Sequence, residues 1–252
     1  MVNHSMEYEI ITPNPAIADY IKFFWHLSNK SGSEKKVIIL PDGYFDIIFY
    51  TFDNKKFRTI LVGLYTEPSS YNIPANAVSF AISFKLLAAE YLLRKKLSYL
   101  LNRQASLPNT FWNLQLSSTT DFAGFANAVT AVVTGLIKET IDQRKQTLSG
   151  MVYNSNGSVT IKDLAGAVHW SSRQINRYFK GWFGITLKSY CNILRYRASF
   201  KNLKEGKLFP EEHFSDQAHF IKQIKKYSGV TPKELARNEN DRFIQFSTLP
   251  DE

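Results

Sequence analysis

Cysteine is almost missing from this chain. Cys191 is the one cysteine among 252 residues, so no internal disulfide can form, and a reducing compartment fits. Long apolar runs are missing too. The longest charge-free, apolar-leaning stretch, Phe122 to Ile137, is short and broken by Gly, Asn and Thr, which argues against a membrane-spanning helix. The opening MVNHSMEYEI lacks the basic-then-apolar pattern of a secretory leader. A soluble, cytoplasmic protein without membrane contact is the expectation. Histidine is scarce, and His26, His169 and His219 are isolated, with no H-x-H pair followed by Glu. No Gly-rich phosphate loop and no nucleophile elbow occur. Neither a cofactor nor a catalysed reaction is expected.

Hydrophobic residues make up 44% of the chain and aromatics 14%, enough for real cores. The formal charge is +9, and it is unevenly spread. Residues 1–150 hold 15 Lys and Arg against 12 Asp and Glu; residues 160–237 hold 15 against 6. A polyanionic partner suits the second region, although charge alone does not name one.

The first hundred residues read as β-rich. VIIL (37–40), a PDG turn (41–43), YFDIIFY (44–50), a DNKK turn (53–56) and FRTILVG (57–63) read as consecutive strands, and VSFAISF (78–84) alternates like a half-buried strand. From Leu86 to about Arg103 the pattern turns helical, and a second helix is expected from Asp121, its cap, to about Gln146. VYNSNGS (152–158) is a polar break. It suggests two domains, residues 1–150 and 151–252. Beyond it the chain reads as all-helical. Thr160 and Asp163 open one helix, with Ile161, Leu164, Ala165 and Val168 as its apolar stripe, and Ser171 caps the next after a short HWS turn. This is a helix-turn-helix pattern.

The helix after Ser171 sorts its residues onto two faces. Ile175, Phe179 and Trp182 share one; Arg173, Asn176, Arg177 and Lys180 share another. The segment also recurs. SSRQINRYFKGWFGITLKSY (171–190) lies over DQAHFIKQIKKYSGVTPKEL (216–235) at an offset of 45, with Lys180, Gly184, Thr186 and Lys188 matching Lys225, Gly229, Thr231 and Lys233. Between the copies a helix of nearly 20 residues is expected from Leu187 to about Glu205, roughly 30 Å long. That is close to one turn of B-DNA, about 34 Å.

These residues carry a family resemblance. IKDLAGAVHWSSRQINRYFKGWFGITLKSYCNILRYRASFKNL resembles the first part of the DNA-binding domain of AraC-type (AraC/XylS) transcriptional regulators, through Leu164-Ala165, Ser171, Ile175, Arg177, Phe179, Gly184, Tyr190, Arg195 and Ala198. DQAHFIKQIKKYSGVTPKEL resembles the closing part, through His219-Phe220, Lys225, Gly229, Thr231 and Pro232. The likeness covers roughly residues 158–237. It implies an all-α domain of two helix-turn-helix units joined by a long helix, which binds specific DNA sequences. One departure stands out. GKLFPEEHFSDQAHF is about one turn too short for the helix that usually precedes the second recognition helix, and Pro210 would break a regular interior. FFWHL (23–27), ILPDGYFDIIF (39–49), VGLYTEP (62–68) and FAISFK (80–85) resemble, more loosely, the sensor half of some of these regulators. That implies a β-barrel or cupin-like sensor with helices, and so an α+β chain of two domains.

The resemblance places Arg173, Asn176 and Arg177 at positions that enter the major groove. Arg can bond guanine and Asn adenine. Ser171, Ser172 and Lys180 fit phosphate contacts, which fix register. On the second helix Gln217 and Lys222 are the candidates, while Ala218 stands where the first has Arg173. A merely solvated basic face is the competing account. Phe24, Trp25 and Tyr44 could line a ligand pocket or simply form the barrel core; Asp42 and Asp46 could be a carboxylate pair or a turn and a strand Asp. Cys191 reads as a core thiol, and one of Arg195 and Arg197 as a candidate buried ion-pair partner. Duplex DNA is the first expected partner, followed by RNA polymerase, a small-molecule effector and a second copy of the chain. The alternative is a non-catalytic adaptor that acts through protein contacts and touches DNA weakly.

Overall fold

The structure is a computed structural model that describes residues 6–52, 56–114, 116–117, 119–208, 214 and 216–248. Its first half is built on strands β1 (Met6–Ile11), β2 (Ile21–Asn29), β3 (Lys35–Ile39), β4 (Phe45–Phe52), β5 (Arg58–Val62), β6 (Ser69–Ile73), β7 (Ala77–Phe84) and β8 (Gln104–Leu107). Six of them form an antiparallel sheet in the order β1-β2-β7-β4-β5-β8, and β3 pairs with β6 in a second sheet. The larger sheet has two unlike faces because side chains alternate along a strand. On β4, Phe45, Ile47 and Phe49 are buried on one face, while Asp46, Ile48, Tyr50 and Phe52 line a cavity on the other. β2 follows the same rule, with Phe23, Trp25 and Leu27 on the cavity and Phe24 behind.

The helices are α1 (Leu87–Tyr91), α2 (Phe122–Leu136), α3 (Gln143–Asn154), α4 (Ile161–Val168), α5 (Ser172–Phe183), α6 (Leu187–Lys204), α7 (Gln217–Ser228), α8 (Pro232–Arg237) and α9 (Ile244–Thr248). α2 covers the back of the large sheet, where Phe125 meets the rings of Phe24, Phe49 and Phe80 at 6.3, 5.7 and 5.3 Å. The chain thus divides into a sheet-rich N-terminal part and a helical C-terminal part, joined by one continuous apolar core.

Several expectations need correction. The Leu-rich stretch 86–103 is not one helix. α1 stops at Tyr91, Arg94 and Asn102 take positive φ (52° and 56°), and residues 104–107 form β8. The single helix expected over 121–146 is two. Asp121 does cap α2, accepting from the Gly124 N–H at 2.6 Å, but Ile137 is extended and Asp142 caps α3 afresh. α3 runs to Asn154, so the polar break begins on its last turn. The strand over 37–40 does not pair with its successor; the PDG turn, with Gly43 at φ 87°, carries the chain to the other sheet. β1, β2, β6 and β8 are strands beyond those the sequence pattern predicts. Residues 53–55 of the DNKK turn, and Pro210 with most of the shortened segment, lie outside the described residues.

Candidate nucleic-acid interface and ligand cavity

The 45-residue repeat has a structural counterpart. α5 and α7 are both 12 residues long, capped by Ser171 and Asp216, and both end at a glycine with positive φ, Gly184 at 79° and Gly229 at 77°. These glycines donate to the carbonyls of Lys180 (3.1 Å) and Lys225 (2.9 Å), the left-handed stop that glycine permits without strain. Thr186 and Thr231 then cap α6 and α8. The buried positions correspond as well: Ile175 and Phe179 on α5, Phe220 and Ile224 on α7. α4 precedes α5 through a turn at residues 169–171, in which His169 is left-handed at φ 53°. α6 holds 18 residues, about 27 Å of helix at about 1.5 Å per residue.

Most candidate contact residues stand outward. Ser171, Ser172, Arg173, Arg177 and Lys180 are exposed on α5 and its cap, and so are Gln217 and Lys222 on α7. Ser171 forms a full capping box with Gln174. Asn176 differs. Its amide donates to the Ser172 carbonyl (3.0 Å) and its oxygen accepts from the Leu187 N–H (3.3 Å), which ties α5 to the start of α6. Arg177 lies beside Lys96, Trp170 and Trp182. Lys96 belongs to an exposed Arg94–Lys96 run in the N-terminal half, a cation beside α5 that only the tertiary fold brings there.

α6 faces inward. Arg197 is 1% exposed, with its guanidinium 5.2 Å from the Phe200 ring, whereas the partly exposed Arg195 donates to Asn192. Burial holds the Cys191 thiol up at about 11, so it stays protonated and inert. His26 bonds the Ser79 carbonyl at 3.0 Å and stacks on Phe80. No group of metal-ligating side chains forms among the described residues, nor is any of their helices long and apolar enough to cross a membrane.

The cavity between the two sheets has a volume of about 330 Å³. Trp25 lines it, stacked on Tyr8 with ring centres 6.2 Å apart. Phe24 is on the opposite face of the sheet. Tyr44 is not a lining residue; its ring lies parallel to that of Tyr153 at 6.1 Å and edge-on to Phe23 at 6.0 Å. Asp42 and Asp46 both line it. Asp42 also accepts from the Tyr44 N–H at 3.0 Å, the usual turn role of an Asp. Asp46 accepts from the Ser83 hydroxyl at 2.5 Å and from Trp25. Its carboxyl is raised to about 8, first by burial and then by the charge of Asp42, against the opposing hydrogen bonds.

One wall comes from the far end of the chain. Ile244, Gln245 and Thr248 line the cavity from α9. The Ile38 N–H donates to the Arg242 carbonyl (2.6 Å), the Leu40 N–H donates to Gln245 Oε1 (2.8 Å), and Ile38 and Phe243 form a parallel bridge. Tyr8 and Thr248 share a hydrogen bond across the same seam.

Residues 9–106 match the model of DUF6597, a domain of unknown function. No curated protein matches the chain. Among solved structures the chain is similar to ToxT from Vibrio cholerae O395, with 13% identity, a TM-score of 0.43 and coverage of 93% of this chain and 98% of that one. An apo ToxT variant from strain SCE256 gives 11%, 0.43, and 93% and 97%. Wild-type ToxT of that strain, bound to an unsaturated fatty acid, gives 11%, 0.40, and 93% and 96%.

Proposed function

We propose that this chain is a sequence-specific DNA-binding transcription regulator of the AraC kind, with a sensor half over residues 1–150 and a DNA-binding half over 151–252. α5 is the principal reader, placing Arg173 and Arg177 against base edges and Ser171, Ser172 and Lys180 against phosphates. α7 is the second reader, through Gln217 and Lys222. Asn176 braces α5 against α6 rather than reading a base. One observation carries the reading. Two 12-residue helices recur, each with a side-chain cap and a left-handed glycine stop, and the exposed cations Arg177 and Lys180 correspond to Lys222 and Lys225. A merely solvated surface has no need of that repetition.

The halves touch where a signal could pass. The Leu97 N–H donates to the Trp182 carbonyl at 2.7 Å, and the Tyr190 hydroxyl on α6 donates to the Gly43 carbonyl at 2.9 Å. A second reading, the non-catalytic adaptor, draws on Ala218, which gives α7 no counterpart to Arg173.

Selection of bound sequences from a random duplex library by the full chain separates the two, followed by titration at two salt concentrations. The regulator reading expects an enriched motif and an affinity that falls steeply with salt. Arg177→Ala should weaken the selected site by on the order of tenfold or more. Lys222→Ala should weaken all sequences alike if it meets phosphate. No enrichment, with equal weak binding by all three proteins, would leave the adaptor.

A further inference from the structure

The cavity is built to discriminate by charge. Its walls are apolar and aromatic, with Trp25, Tyr8, Tyr50 and Tyr65 among them. Among the described lining residues the ionisable groups besides tyrosines are Asp42 and Asp46; no Lys, Arg or His is present. At about 330 Å³ it falls within the range of small-molecule sites, about 300–1,000 Å³. An anionic ligand would meet two carboxyl groups and no cationic side chain among these lining residues. A cation would meet a carboxyl group and ring faces, which attract positive charge.

We propose that this cavity binds a singly charged amine on an apolar, aromatic-sized body, with the Asp46 carboxylate as its counter-ion. The assignment rests on the sensor reading of the N-terminal half. Asp46 is placed for the role. β7 offers it Ser83 and β2 offers Trp25, so both known partners donate and leave it acceptor capacity. β5 opposes it with apolar Val62, β1 presents Tyr8, and the 41–43 turn presents Asp42. The positive charge of Arg197 on α6 reaches Tyr8, although Arg197 is not a lining residue. Burial, and then the charge of Asp42, keeps the proton on Asp46 near neutral pH. An entering ammonium would replace that proton, which leaves to solvent, so binding at neutral pH releases up to about one proton per ligand.

Calorimetry on the full chain tests this with three probes sharing one ring system: tryptamine, tryptophol and indolepropionate, which are cationic, neutral and anionic. Tryptamine is expected to bind at least about tenfold more tightly than tryptophol, and indolepropionate not at all. Repeating the titration in buffers of different ionisation enthalpy should show the released proton. Asp46→Asn should level the amine and the alcohol. If that variant does not fold, the wild-type series and its proton count decide alone. Equal affinities, preference for the acid, or no binding by any of the three would overturn the proposal. Duplex binding is measured separately. An amine response in a protein that selects no DNA sequence would leave the cavity assignment standing and remove the regulator reading.

Discussion

At the scale of single residues, Asp46 makes the sharpest claim on stability. Its carboxyl holds a proton in the folded chain up to about 8, whereas in the unfolded chain it releases it near the ordinary value of about 3.9. Unfolding therefore releases a proton between these limits, and stability is lost as pH rises through the window. Asn at the same position is neutral throughout. Asp46→Asn should come closest to wild type at or below about pH 4 and exceed it in Tm by a margin that grows toward pH 8. A margin independent of pH would show that Asp46 is ionised in the fold. The ligand candidates were legible only in part, and parity is the reason. Phe24 and Trp25 are neighbours in β2, so they must face opposite ways. Naming both for one pocket could not succeed on geometry, and Trp25 alone lines the cavity. Asn176 shows another limit. An Asn among Arg and Lys on one helical face looks like a base reader, and nothing local reveals that the Leu187 N–H lies within reach.

Among the elements, legibility followed local chemistry. Caps and stops were readable because they involve residues three or four apart: Ser171, Thr160, Asp121, Gly184 and Gly229 all behave as their types suggest. Long-range pairing was not readable. β6, SSYNI, has an exposed centre and joins β3 only through tertiary contact, and the Leu-rich 86–103 stretch imitates a helix although Arg94 and Asn102 turn left-handed. The joint between α3 and α4 gives a test at this scale. Gly157 has φ 75°, and a Cβ there would lie 2.3 Å from the Cys191 carbonyl oxygen of α6. Neither the backbone conformation nor the space admits a side chain. Gly157→Ala should destabilise the chain by on the order of 3 kcal/mol, whereas Gly166→Ala, with open space around it, should be neutral or slightly stabilising within its helix. Chemical denaturation of both variants gives the comparison, and similar midpoints would mean that α6 does not press on residue 157.

For the whole molecule, the informative feature is the return of the chain end to its beginning. α9 follows α8, which packs with α6 and α7, yet its side chains wall the cavity of the N-terminal half. Ile244 shares an apolar patch with Leu27, Val37, Ile73 and Ala77, and Gln245 supplies the acceptor for the Leu40 N–H. This strap is a third link beside Leu97–Trp182 and Tyr190–Gly43, and it and the Tyr190 link end on cavity-lining ground: Asp42 is next to Gly43, and Ile39 is next to Leu40. A ligand that alters the cavity can shift the C-terminal half only through contacts that differ between the bound and free states. Gln245→Ala leaves the Leu40 N–H without its protein acceptor, a loss of about 1–3 kcal/mol where the group stays dry. Ile244→Ala removes apolar contact from the strap by a comparable amount. Both should lower Tm, and both should weaken any effect of cavity ligand on duplex affinity while leaving affinity in the absence of ligand close to wild type. Anisotropy titrations with and without ligand read this directly. A ligand effect that survives both substitutions undiminished would assign the coupling to Tyr190 and the Gly43 turn instead, and Tyr190→Phe, which removes the hydroxyl bonded to Gly43, would then be the variant that abolishes it.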